Sequence, residues 1–349
     1  MYFKDALNNA DDIFESCKDY LEIVLVANVL GPRGHDNIMQ LNCSETEHFT
    51  PQEFDEIYRG VVDAGFFIKK VFFNELEFIR DIISDITEYS TVVVFNLCRN
   101  GTKMNTKTII PAICDLLKIS YTSSSAGSCA LARNKLLFTS YLKENGILCP
   151  ISGRYVNDLI DQIPLSSMII YKPNDGSASQ GISAENIMSL SDALHKCNGN
   201  YIIQEYIDGY ECEVPIFCVR DQCFVMPPIG ISFKSDGHVD ILSCIDSMNN
   251  NYGFYLLSDI LSKEICEEIM NDAKKIFNLL NLEVYGRVDF RIDKKSHRHY
   301  LIDISTTPYI TKHSSFAFAV NANGGEYADI FQLIVKASLY RNQAHKERN

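Results

Sequence analysis

Apolar runs separated by amphipathic helical patterns constrain the first third of this chain more than any other feature. "LEIVLVANVL" from Leu21 and "TVVVFNL" from Thr91 are continuous enough to be buried on both faces, and a third run, Phe67 to Phe73, lies between them. Helical periodicity fills the gaps. "TPQEFDEIYRGVVDAG" offers Thr50 as N-cap, Pro51 in the first turn and Gly65 at the end, and a second helix is expected near Glu75 to Ile86. Strands alternating with helices demand a parallel sheet covered on both faces. A further helix, "IIPAICDLL", leads into "ISYTSSSAGSCALARNKLLFTSYLKENGILCP", read as a short strand, a small-residue loop and one amphipathic helix.

From Met168 the pattern changes to short strands and loops: "MIIYKPNDGSASQGI", "YIIQEYIDGYECEVPIFCV" and "CFVMPPIGISF". A serine-capped helix, "SKEICEEIMNDAKKIFNLLN", sets Ile265, Ile269, Ala273 and Ile276 at helical spacing. The chain closes with a helix from about Tyr327 to Leu339 and a polar tail, "RNQAHKERN", expected to fray. The fold class is therefore an α/β unit followed by an α+β half.

With 349 residues, 46% of them apolar, the chain exceeds what a single core usually serves. A net charge of −13 without a clustered basic face argues against nucleic acid as a partner. No apolar run reaches membrane-spanning length and the first twenty residues lack a signal-peptide pattern, so no membrane partner and a cytoplasmic location are expected. The twelve cysteines contain no CxxC pair and are expected to be reduced, including Cys212, Cys218 and Cys223, which fall close together in a strand pair. His297 and His299, flanking a basic turn, are expected to be solvated.

Three stretches can carry chemistry. In "GRVDFRID" strand alternation puts Arg287, Asp289 and Arg291 on one face, and after the turn "KKSHRH" the strand "YLIDIS" places Leu301, Asp303 and Ser305 on a common face. Either this is a hairpin with a wet face, or Asp289 and Asp303 meet across it to hold a hard cation such as magnesium. In "YKPNDGSASQGI", Lys172 precedes a small-residue loop whose amides can approach phosphate, and a surface turn fits as well. In "YIIQEYIDGYECEV", the strand end at Gln204 to Ile207 can read a flat purine beside the carboxylates of Glu211 and Glu213, and a plain β-hairpin also fits.

Order and combination then matter. From roughly Pro111 to Tyr340 the chain resembles the ATP-grasp superfamily, in its D-alanine:D-alanine ligase-like branch, through "ARNKLLFTSYLKENGILCP", "YKPNDGSASQGI", "IIQEYIDGYECEV", "GRVDFRID", "LIDISTTPYITKHSS" and the terminal helix after "GGEYADI". The resemblance implies an N-terminal pre-ATP-grasp domain over residues 1–122, a central subdomain over 123–200 and a C-terminal subdomain over 201–349 carrying the metal and nucleotide site. It implies ATP and magnesium, or manganese, as cofactors. Lys135 and Lys172 match lysines that grip the phosphates, and Ser179 a serine of the loop closing over the γ-phosphate. Gln204, Tyr206 and Ile207 match contacts to adenine, and Glu211 the ribose ligand. Asp289 and Asp303 match metal-binding acids, and Ser305 stands where the family places an asparagine ligand. Arg287 matches the arginine that steadies the reacting phosphate, and Ser314 the group that holds the second amino acid's carboxylate. The family also implies small amino-acid-like substrates and a homodimer through the N-terminal domain.

Departures bear on substrate choice. Tyr309 replaces a glycine and is expected to reshape the acceptor pocket. The stretch from Asp240 to Leu257, in the place of an ω-loop, contains no lysine. The first loop, "NVLGPRGHDN", lacks the family glutamate, and "CRNGTKMN" replaces a histidine- and glutamate-containing loop. Arg33, His35 and Arg99 are candidates to meet a substrate carboxylate. The expected function is an ATP-dependent carboxylate-amine ligase that forms an amide through an acyl phosphate. The alternatives are a divergent D-alanine:D-alanine ligase and a non-catalytic ATP-binding module.

Overall fold

The computed structural model describes residues 15–30, 48–89, 91–99, 106–177, 179–193, 201–220, 222–233 and 241–348, with Phe3 and Leu7. The apolar runs become β1 (Glu22–Ala27), β2 (Phe67–Phe72) and β3 (Val92–Leu97), which join β4 (Ser120–Tyr121) in a parallel sheet of order β2-β1-β3-β4. Helices α1 (Pro51–Asp63), α2 (Glu75–Ser84) and α3 (Ile109–Leu117) cover it. Period-two alternation divides the faces: Ile23, Leu25, Val93 and Phe95 pack with Phe54, Ile57 and Val61 of α1. Val24, Val26, Val92 and Val94 pack with Phe78 and Ile82 of α2 and Ile110 of α3. Thr50 closes a capping box, its hydroxyl accepting from the Glu53 amide at 3.2 Å while Glu53 Oε2 accepts from the Thr50 amide at 2.8 Å. Helix α2 stops at Ser84, earlier than its periodicity suggests, because Asp85 is extended; a 3₁₀ turn follows over Ile86–Tyr89.

The expected single helix after the small-residue loop is two, α4 (Ala126–Arg133) and α5 (Lys135–Glu144). Asn134 leaves helical conformation between them, and its side-chain oxygen accepts from the Leu137 amide at 3.0 Å to start α5. The middle sheet is antiparallel, β5-β8-β6-β7, from β5 (Ser152–Gly153), β6 (Met168–Pro173), β7 (Ile187–Ser189) and β8 (Tyr201–Glu205). The third sheet has the order β12-β11-β9-β13-β14, with β10 on β9. Its strands are β9 (Gly209–Val219), β10 (Gln222–Val225), β11 (Ile229–Phe233), β12 (Tyr252–Leu256), β13 (Tyr285–Asp293) and β14 (His299–Ser305). "YIIQEYIDGYECEV" is therefore no hairpin: β8 and β9 belong to different sheets, and the chain passes between them at Tyr206 to Asp208.

Later helices include α6 (Cys244–Met248), α7 (Lys263–Leu279), α8 (Ser315–Ala322) and α9 (Tyr327–Arg348). On α7 the buried stripe is Cys266, Ile269, Ala273, Ile276 and Phe277, with Ile265 half-buried. Helix α9 continues to Arg348 where fraying was expected from Arg341, since "RNQAHKER" contains no glycine or proline to stop it. Two further expectations fail. Cys218 and Cys223 are directly opposite across the β9–β10 hairpin, Cα atoms 4.1 Å apart, and form a disulfide; the other cysteines among the described residues are thiols. His299 is not solvated: its ring packs on Phe290, and Nε2 lies 2.9 Å from Asp272 Oδ2 on α7. No helix among the described residues is long and apolar enough to cross a membrane.

Candidate functional site

The cleft between the middle sheet and the third sheet gathers nearly every residue singled out above. Strand β13 sets its floor. Val288, Phe290 and Ile292 are wholly buried in the core, which turns Arg287, Asp289 and Arg291 to the cleft. Pairing on both sides then aligns three carboxylates: Asp289 lies opposite Glu213 of β9 and opposite Asp303 of β14.

Strict alternation along β14 fails at Ile302, where a β-bulge shifts the register. Leu301 and Ile304 both enter the core while Asp303 still reaches the cleft, so Leu301 and Asp303 do not share a face. The bulge has a use, because the Lys172 ammonium donates to the Ile302 carbonyl at 3.1 Å. Lys172 comes from β6, so this bond ties the two walls of the cleft together.

Arg287 donates to both oxygens of Asp289, from Nε at 2.7 Å and from Nη2 at 2.8 Å, and its Nη1 lies 3.0 Å from Glu213 Oε1. Lys135, the first residue of α5, lies 3.2 Å from Asp303 Oδ1 and donates to the Gly176 carbonyl at 2.6 Å. That second bond holds the small-residue loop, whose Asn174 also accepts from the amides of Lys135 and Leu136. Ser179 lines the cleft from the same loop with a left-handed backbone, φ 53°.

Arg291 organises the crossing between sheets. Its guanidinium donates to the carbonyls of Ile207 at 2.8 Å and Gly209 at 2.9 Å, and its Nη1 lies 3.1 Å from Glu211 Oε2. The segment carrying Gln204, Tyr206, Ile207 and Glu211 is thus shaped by a strand-borne arginine. Gln204 is held by its own bond, Nε2 donating to Ser152 Oγ at 3.0 Å.

Burial sets the electrostatics. It pushes Asp289 up to about 7, with Glu213 adding to the rise against the pull of Arg287. Glu211 and Glu213 are raised for the same first reason. Burial would raise Asp303 as well, yet Lys135 and Lys172 outweigh it and hold this carboxyl below its ordinary value. Lys172 is pulled down to about 8, first by burial and then by Lys135. Burial and the neighbouring acids disfavour the charged form of Asp289, and a cation on the cleft side would favour it.

Carboxylate donors facing one another suit a hard cation. Among the described residues no group of three or more His, Cys, Asp or Glu converges on a single point, so water or substrate oxygens would have to complete any shell. Ser305 lies in register with Arg287, two residues beyond Asp303, and lines the cleft. Ser314 lines it too, and caps α8: its hydroxyl donates to the Thr311 carbonyl at 2.6 Å and accepts from the Ala317 amide at 3.2 Å. Arg99 and Tyr309 reach the same cavity, whereas Arg33 and His35 lie outside the described residues.

Glu213 and Arg291 were placed on their strands by the sequence but matched to no particular role. Alternation showed which way each side chain points, but which acids fall in one row depends on register between strands far apart in sequence.

Comparison with known proteins agrees with this architecture. The family model described as "D-ala D-ala ligase C-terminus" matches residues 162–336. The D-alanine–D-alanine ligase of Carboxydothermus hydrogenoformans is 23% identical over 308 residues, covering 83% of this chain and 93% of that protein. The D-alanine–D-alanine ligase B of Clostridium perfringens is 27% identical over 269 residues, 73% of this chain and 84% of its own. Among solved structures, the D-alanine–D-alanine ligase from Bacillus anthracis complexed with ATP superposes with a TM-score of 0.64 at 16% identity, covering 93% of this chain and 98% of that one. The ligase from Coxiella burnetii gives 0.65 at 14% identity, covering 94% and 98%. With its C-terminal half matched by the family model and its architecture shared with solved members, this chain has the ATP-grasp fold and belongs to the D-alanine–D-alanine ligase C-terminal family.

Proposed function

We propose that the protein is an ATP-dependent ligase that forms an amide between a carboxylic acid and an amine, both amino acids or related small molecules, releasing ADP and phosphate. The observation that carries this reading is the row Glu213, Asp289, Asp303 on one cleft wall, interleaved with Arg287 and Lys135 and faced by Lys172 from the other. A carboxylate is a poor electrophile. Transfer of the terminal phosphoryl group turns it into an acyl phosphate, and an amine then attacks the carbonyl carbon, phosphate leaving and the amine losing its proton.

Negative charge moves along this path without any side-chain nucleophile. Fixed cations are what it needs, and Lys135, Lys172 and Arg287 supply them in a buried setting where charge stabilisation is strong. In this reading Gln204, Tyr206 and Ile207 receive the purine, Glu211 the ribose, Ser179 the terminal phosphate and Ser314 the acceptor's carboxylate. Asp289 and Asp303, with Ser305 beside them, would hold magnesium, which when bound neutralises the phosphates.

The test is phosphate release from ATP and magnesium over L- and D-amino acids, singly and in pairs. Pair-dependent release lost in Asp289→Asn supports the ligase. Turnover with D-alanine alone would identify a D-alanine–D-alanine ligase, the activity that the relatives' names carry. ATP binding without release on any pair would overturn the reading in favour of a binding module.

A further inference from the structure

We propose that Arg99 selects the substrate, and that the substrate it selects carries a carboxylate in addition to the one activated: a small amino dicarboxylic acid, not a neutral amino acid. The inference rests on the ligase reading for the reaction but on separate residues for the specificity.

Arg99 follows β3, and Asn28 follows β1. The order β2-β1-β3-β4 sends the chain to one side of β1 and then to the other, so these two residues stand at the carboxyl ends of strands flanking the topological switch point, where open parallel sheets receive ligands. Asn28 locks the position: its Oδ1 accepts from the Arg99 amide at 2.8 Å, and its Nδ2 donates to the buried Glu75 at 3.1 Å. The Arg99 side chain then lies over Tyr309, guanidinium carbon 3.7 Å from the ring centroid, with the Phe49 centroid at 5.8 Å.

Those aromatic faces leave guanidinium N–H donors unanswered. Arg99 is 3% exposed, it lines the cavity, and its Nε and Nη1 have no hydrogen-bond partner among the described residues. A buried cation without an acid is costly, and such a group ordinarily has a partner. Every other arginine lining this cavity is already matched: Arg287 by Asp289 and Glu213, Arg291 by Glu211. Lys135 is matched by Asp303, and Lys172 holds a carbonyl of the β14 bulge with Asp303 and Glu211 acting on its charge. The charge missing from the Arg99 end is an anion, and a guanidinium N–H donor suits a carboxylate oxygen.

The surrounding wall limits its size. Tyr252, Phe254 and His313 pack together and line the same cavity as Tyr309, the His313 ring centroid 4.8 Å from that of Tyr252 and 5.4 Å from that of Phe254, so a compact body with an anionic tip is favoured.

The experiment compares amino acids that differ by carboxylate against amide: L- and D-aspartate with asparagine, and L- and D-glutamate with glutamine. ADP release is measured for wild type, Arg99→Gln and Arg99→Lys. Wild type is expected to favour the acid in kcat/KM by roughly 10- to 100-fold, mainly through KM, as for one charge-assisted contact. Arg99→Gln should erase the preference with ATP affinity retained, and Arg99→Lys should keep part of it. Equal use of acid and amide by the wild type, a comparison that needs no variant to fold, overturns the proposal. So does a preference that survives in Arg99→Gln. If no pair turns over, calorimetric titration of the same amino acids into ATP-loaded protein separates the two readings. Binding of the acids that is lost in Arg99→Gln keeps the assignment of Arg99 while the ligase reading fails; no binding of either acid or amide overturns it.

Discussion

Lys172 sits where its own ionisation is opposed. Burial first and the Lys135 ammonium second pull it down to about 8 from the ordinary 10.5, against the attraction of Asp303 and Glu211. Its folded pKa lies below the unfolded one. Between the two values the unfolded chain therefore holds more protons, and this group's contribution to stability rises with pH across that window. Ligand binding runs the other way. Phosphates beside the ammonium favour its charged form, so above about pH 8 ATP binding must take up a proton. ATP affinity is expected to fall by up to about tenfold per pH unit above that point. Calorimetry in buffers of different ionisation enthalpy would count the proton. Lys172→Gln should bind more weakly with a flat profile, and an unchanged slope in that variant would assign the effect to another group. The lysine, like Asp289, was legible from sequence because its neighbours form a quotable run. The acid beside Asp289, Glu213, was not, since its role comes from a strand more than seventy positions away.

At the scale of elements, the sequence displayed periodicity well and pairing poorly. The alternation of "GRVDFRID" predicts which residues of β13 face the cleft, and they do. The bulge at Ile302 and the separation of β8 from β9 were invisible, because each depends on what the neighbouring strand offers to a backbone group. Gly209 shows how tight that pairing is. It opens β9 against the end of β13, and a Cβ there would lie 2.0 Å from the Ile292 carbonyl oxygen, a backbone atom held in the ladder. Gly209 also presents the carbonyl that Arg291 bonds. Gly209→Ala is therefore expected to destabilise the protein by about 3 kcal/mol, the scale of forced overpacking, and to weaken ATP binding through the displaced 206–211 segment. Urea denaturation reads the first and calorimetry the second. Wild-type values in both would show that the strands part easily here.

For the whole molecule, the parallel sheet and the third sheet contribute to one apolar cluster. Ile23, Leu25 and Phe95 belong to the same apolar cluster as Phe217, Phe316 and Phe331. Helix α9 is the link: its residues Ile330, Phe331, Leu333, Ile334 and Val335 are wholly buried, and Arg341 donates to the Ser123 carbonyl at 2.6 Å while stacking on Tyr121 at 3.6 Å. Being covered on several sides, the helix lacks the single apolar stripe that would have revealed its partners. Phe331 packs on Phe95 of β3 with centroids 5.9 Å apart and fills the space that a side chain at Gly60 of α1 would need, its ring 2.2 Å from where that Cβ would lie. Truncating it opens a cavity at the junction, so Phe331→Ala is expected to cost about 3–5 kcal/mol. The loss should appear as one unfolding transition. Hydrogen exchange should quicken together in β1, β3 and β9, because the cluster that protects them is common. Two transitions, with β9 still protected after β1 and β3 have opened, would show instead that the core divides, and that the wall carrying Arg99 moves independently of the wall carrying Asp289.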